Sequence, residues 1–115
     1  MEVQKSVQND HVAVKITLED AGAVVGRAYL YLIKTDVHVE PYGYLEDVFV
    51  EESKRGQGVG TKLIQAAIDE ARVRGFYKII GTTRHEKSGV HAFYEGLGFE
   101  NHGLEFRMDL VENRK

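Results

Sequence analysis

The sequence predicts a single domain of mixed α/β (α+β) class. Its elements follow the order β-β-β-α-β-α-β, and its sheet is mostly antiparallel with one parallel pair. Three observations carry this. Residues 11–20 alternate Val12, Val14, Ile16 and Leu18 against Ala13, Lys15, Thr17 and Glu19, the two-residue period of a half-buried strand. From Gly58 to Arg74 the apolar positions become Val59, Leu63, Ile64, Ala67, Ile68 and Ala71, which is helical spacing. A short apolar run, residues 76–83, follows that helix. Strand, helix and strand then make a crossover, and its two strands run parallel.

The remaining elements follow in order. Residues 21–35 carry β-branched and aromatic side chains and read as a second strand after a turn near Asp20–Gly22. Residues 36–43 read as a loop, and residues 44–50, YLEDVFV, as the third strand. The first three strands should form an antiparallel meander. Gly75 is a natural stop for the first helix. Residues 88–98 read as a short second helix, with Ser88 as N-cap and Gly98 as the C-terminal stop. Residues 104–110 alternate Leu104, Phe106, Met108 and Leu110 against Glu105, Arg107 and Asp109, predicting a last, one-sided strand.

The totals exclude several classes. A chain of 115 residues fits one domain and buries a core without staples. A net charge of −3 offers no basic surplus for nucleic acid. With no cysteine there is no disulfide, thiolate metal site or cysteine nucleophile. There is no apolar run of membrane-spanning length, and the start MEVQKSVQND is too polar for a signal peptide. The expectation is a cytoplasmic protein without nucleic-acid or membrane partners. His85 and Glu86 suggest metal chemistry, but H-E-x-x-H would need histidine at 89, which is Gly89, so no metal is expected. His11, His38 and His102 read as ordinary polar positions, His91 as a helix-surface residue, and Arg72, Arg74 and Lys78 as a solvated face.

The stretch RGQGVGTK, residues 55–62, places a glycine at every second position where the first helix begins. Glycine costs backbone entropy, so the cluster needs a reason. A tight turn is one. Close approach to an anion at a helix start is another. A Walker loop fails because Thr61, not lysine, follows Gly60; a Rossmann loop fails because positions 61 and 63 are Thr61 and Leu63. What remains is Arg55-x-x-Gly58-x-Gly60 after a strand, at the strand end where open α/β sheets place ligands.

These residues resemble the GNAT superfamily of acetyl-CoA-dependent N-acetyltransferases. The family's [QR]-x-x-G-x-[GA] signature is matched by Arg55-Gly56-Gln57-Gly58-Val59-Gly60, and its F/L-Y-x-x-x-G-F run by Phe93-Tyr94-Glu95-Gly96-Leu97-Gly98-Phe99. The likeness covers roughly residues 42–110. It implies acetyl-CoA as cosubstrate, an amine as acceptor, and a parallel strand pair splayed around the cofactor. Loop residues Arg55, Gly56, Gln57, Gly58, Val59, Gly60 and Thr61 are implied in cofactor binding, with N–H groups from Gln57 to Thr61 on the pyrophosphate. Val48, Phe49 and Val50 would offer backbone groups to the pantetheine arm and the acetyl carbonyl.

The reaction so implied needs a proton acceptor for an amine of pKa ~10. Glu46 and Asp47 are the acidic residues of the third strand, and strand alternation sends them to opposite faces. Glu46, grouped with Val48 and Val50, is the favoured base, working through a water; Asp47 remains the alternative, or an acceptor-binding residue. Tyr94 matches the family's usual acid and is implied as proton donor to the leaving sulfur, and as a cofactor contact. A core role against Phe99 is the plain reading beside it.

The match departs in two places. The family begins with a strand and two helices that wall the acceptor site, and this chain has no room for them before residue 11. The acceptor side is therefore expected to be open, or completed by a second copy in a homodimer. An asparagine common before the tyrosine helix falls near Lys87. Within the family, YLEDVFV, YKII and GLEFRMDL resemble glucosamine-6-phosphate N-acetyltransferases. The competing reading is a non-catalytic acetyl-CoA-binding or regulatory module of the same fold.

Overall fold

In a computed structural model of the chain, described over residues 1–82 and 88–111, the alternation of residues 11–20 yields strand β1 (Ala13–Asp20). Strand β2 (Ala23–Ile33) follows, then β3 (Tyr42–Val50), a 3-10 turn (Glu52–Lys54), helix α1 (Val59–Val73), strand β4 (Ile79–Gly81) and helix α2 (Ser88–Gly96). The chain divides into two compact units, Met1–Gly81 and Thr82–Lys115. The expected N-cap hydroxyl of Ser88, and residues His85, Glu86 and Lys87, lie outside the description.

The first unit holds a four-stranded sheet in the order β1-β2-β3-β4. β1 to β3 form the expected antiparallel meander. β4 pairs parallel to β3, Gly43 to Ile79 through Leu45 to Gly81, as the crossover through α1 requires. The β1–β2 turn puts both central residues at positive φ, Ala21 at 52° and Gly22 at 81°, the mirror-image turn that matches strand twist. Alanine is strained there, asparagine far less so. Ala21→Asn should therefore stabilise the chain by about 1 kcal/mol, read as a raised denaturant midpoint at unchanged slope.

Helix α1 buries Val59, Leu63, Ile64, Ala67 and Ala71. They pack on one face of β1–β3, where Ala28, Leu30 and Leu45 are also buried. Leu30, Leu63 and Ile64 are the largest fully enclosed side chains, each contributing about 1.5–3 kcal/mol through removal from water. Gly26 lets the helix start sit down on the sheet. A Cβ there would stand 2.8 Å from Val59 Cγ1 and 2.9 Å from Leu63 Cδ1. The side of the sheet away from α1 is its outer face.

Both helices end the same way. Phe76 N–H donates to Ala71 O and Gly75 N–H to Arg72 O; Phe99 N–H donates to Tyr94 O and Gly98 N–H to Glu95 O. With Gly75 at φ 74° and Gly98 at φ 98°, these are Schellman caps. In the second unit the cap brings the Tyr94 and Phe99 rings edge to face at 5.3 Å, the apolar contact that accompanies such a cap.

One expected element does not form. Residues 104–110 carry no strand, and Leu104, Phe106, Met108 and Leu110 are 71%, 90%, 82% and 87% exposed. Alternation supplies a one-sided face but no ladder partner. Among the described residues, the second unit holds no other strand to pair with.

Candidate functional site

The glycine loop behaves as a backbone device. Gly56 and Gly58 take φ of 77° and 82°, which side-chain-bearing residues resist. Gly58 is the N-cap of α1 in the left-handed region, and no side chain caps the helix. The first helical bond is Lys62 N–H to Gly58 O, 3.1 Å. The N–H groups of Val59, Gly60 and Thr61 therefore have no acceptor within the helix. An added Cβ at Gly56 or Gly58 meets nothing within 4 Å, so these glycines leave open space rather than filling a packed one. Arg55 Nε donates to Val50 O at 3.1 Å and Gln57 Nε2 to Ser53 O at 3.2 Å. Those two bonds fold the loop back on the end of β3. Uncapped donors and the positive end of the helix dipole together attract an anion.

Strand β3 leads into this loop, and two features set its end apart. Pairing with β4 stops at Leu45. Among the described residues the β4-side edge from Glu46 to Val50 thus has no ladder partner, although Val50 O accepts from Arg55 Nε. On the other side the register against β2 shifts. Tyr29 opposes Glu46 but Arg27 opposes Phe49, so Asp47 and Val48 together face Ala28. This is a β-bulge, and Asp47 adopts φ 52° in it. Aspartate is among the few residues that tolerate this conformation.

The bulge corrects the expected geometry of the acidic pair. Regular alternation would send Glu46 and Asp47 to opposite faces and group Glu46 with Val48 and Val50. Instead Val50 opposes Gly26, on the side of α1. Glu46 shares the outer face with Tyr44 and Phe49. Asp47 swings back to the same face, where Arg27 donates to it through Nε at 2.8 Å and an Nη at 3.1 Å. Arg27 also lies over the Phe49 ring at 4.7 Å. The hydrogen bond from Arg27 holds the Asp47 carboxyl below its ordinary value of 3.8. Glu46 is exposed and carries no such partner among the described residues.

A pH dependence follows from that direction. A lowered carboxyl stabilises the fold above its ordinary value, and the contribution fades as pH falls through the lowered one. Asp47→Asn should lower stability modestly in the neutral range, where that contribution is fully present, and flatten its loss below pH ~4, so that parent and variant converge in acid, read from denaturant melts across pH. The effect is modest because the pair stands 40% and 48% exposed.

Tyr94 belongs to the second unit, half-buried in α2 beside Phe93 and Phe99. Arg72, Arg74 and Lys78 are exposed, as expected of a solvated face; on it Arg74 pairs with Glu70 at 2.6 Å and Lys78 lies over the Tyr42 and Tyr77 rings. Among the described residues no group of acidic or histidine side chains is arranged to hold a metal ion, and no helix is long and apolar enough to cross a membrane. Sequence reasoning missed Arg27, the partner that fixes Asp47, because nothing local marks a contact twenty residues away.

Comparison with known proteins fits this geometry. A profile of the acetyltransferase (GNAT) family matches residues 3–99. A glucosamine 6-phosphate N-acetyltransferase of Trypanosoma brucei brucei is 39% identical over 93 residues, covering 80% of this chain and 61% of its own. N-alpha-acetyltransferase 30 of Schizosaccharomyces pombe is 37% identical over 70 residues, covering 59% and 47%. The chain thus spans about half to three fifths of these relatives. Among solved structures, a putative acetyltransferase from Agrobacterium tumefaciens superposes with a TM-score of 0.80 at 28% identity, covering 84% of this chain and 68% of that one.

Proposed function

Since the chain belongs to the acetyltransferase (GNAT) family, we propose that it moves an acetyl group from acetyl-CoA to a primary amine of a small molecule or peptide. One observation carries this reading most: an uncapped, glycine-opened start of α1 beside the unpaired end of β3. The donor set fits the cofactor. Three free N–H groups and a helix dipole suit a pyrophosphate. The outer guanidinium nitrogens of Arg55 remain for phosphate once Nε is held by Val50 O. The edge at Val48, Phe49 and Val50, unpaired by any strand, suits an extended amide chain, which bonds as a strand would. When bound, acetyl-CoA supplies the activated acetyl carbon.

The chain's own groups handle the protons. The amine nitrogen attacks the acetyl carbon and the carbon–sulfur bond breaks. The amine's proton passes to Glu46, directly or through a water, and the sulfur leaves as a thiolate that takes a proton from Tyr94. Glu46 is the better acceptor of the two acids, because Arg27 holds Asp47 in its ionised form and weakens it as a base. The phenolic O–H of Tyr94 suits the donor role.

Incubation with acetyl-CoA and a panel of small amines and peptide N-termini tests this, with free thiol and acetylated product followed together. Equal release of thiol and product supports transfer. Acetyl-CoA binding without turnover on any amine would leave a binding module instead.

A further inference from the structure

The outer face carries a groove that, apart from Glu46 at its edge, none of these roles uses. It is an open depression of about 600 Å³ bordered by His11, Ala13, Tyr31, Ile33, Tyr44 and Glu46. The register explains it. Ala13, Tyr31 and Tyr44 lie in one row across β1, β2 and β3, and Lys15, Tyr29 and Glu46 lie in the next, with Lys15 Nζ over the Tyr29 ring at 5.7 Å. Ala13 leaves a low place in that row, and the tyrosines rise beside it. Tyr31 also stacks on Tyr29 at 5.9 Å, so its ring is held. At the other end, the Lys34 backbone N–H donates to His11 Nε2 at 3.0 Å. That bond makes Nε2 an acceptor and leaves the neutral ring's proton on Nδ1, a donor. The groove lining contains no lysine or arginine among the described residues.

We propose that this groove holds the body of the acceptor, an amine carried on a ring. The inference rests on the acetyl-transfer reading and adds the substrate class to it. The carboxylate of Glu46 draws the amine to one end by charge. Tyrosine faces favour a ring over an open chain, and the His11 end offers a donor to an oxygen on that ring.

Two variants test it by kinetics with benzylamine as the ring amine and propylamine as the open chain. Tyr31→Ala removes one wall at a side chain 38% exposed; Ala13→Leu fills the floor at an exposed strand position. Each should raise KM for benzylamine about tenfold, the size of a lost aromatic contact. Propylamine turnover and the KM for acetyl-CoA should stay close to the parent's, which a general loss of structure would not allow. Tyr31→Phe should restore the benzylamine KM. A parent that turns over both amines while neither variant changes the benzylamine KM overturns the groove assignment alone. A parent without any acetyl-CoA-dependent turnover overturns the transfer reading and the groove with it. Self-association that Ala13→Leu abolishes, with amine kinetics unchanged, would give the face to a second copy and also overturn the proposal.

Discussion

Replacing Gly60 by aspartate should remove acetyl-CoA binding while leaving the fold intact. Gly60 is the second residue of α1, inside the uncapped first turn. A carboxylate in a first turn favours the helix, because it faces the positive end of the dipole. The variant should therefore melt no earlier than the parent. The same carboxylate would sit among the N–H groups proposed for the pyrophosphate. Like charges about 4 Å apart cost roughly 1–4 kcal/mol between bulk-water and surface screening, about a five- to thousandfold loss of affinity. The checks are a calorimetric titration and a thermal melt of both proteins. Gly58→Asp would be a poorer probe, since Gly58 sits at φ 82° and a side chain there strains the turn itself.

Glu46→Gln should leave acetyl-CoA binding unchanged and lower kcat by about 10²–10⁴, the usual contribution of a positioned base. Asp47→Asn should lower it far less. Its carboxyl is already committed to Arg27 through two hydrogen bonds, and its loss would loosen the bulge more than remove a base. A steeper fall in Asp47→Asn than in Glu46→Gln would exchange the two assignments. The variants share the same strand end, so measuring both separates proton transfer from backbone placement.

The loop, both helices and the parallel crossover were legible in the sequence because each has a local cause. Gly75 and Gly98 end their helices at positive φ, and the apolar spacing of α1 matches its buried face. The β-bulge was not legible. LEDVFV reads as plain alternation, and only pairing against β2 reveals the extra residue at Asp47–Val48. A one-residue slip changes which face a side chain takes, so the error moved Glu46 relative to Val48 and Val50. The last strand failed for the opposite reason: Leu104 to Leu110 have the pattern but no ladder partner in their unit. The groove had a faint signal. Tyr29 and Tyr31 occupy the face that alternation assigns to solvent, opposite Ala28, Leu30 and Leu32.

The central claim is that the start of α1 and the free end of β3 form an acetyl-CoA site. Titration calorimetry of the parent chain with acetyl-CoA tests it most directly. The account predicts saturable binding at one site per chain, with an affinity on the order of micromolar. A folded parent that gives no binding heat at several temperatures would contradict it.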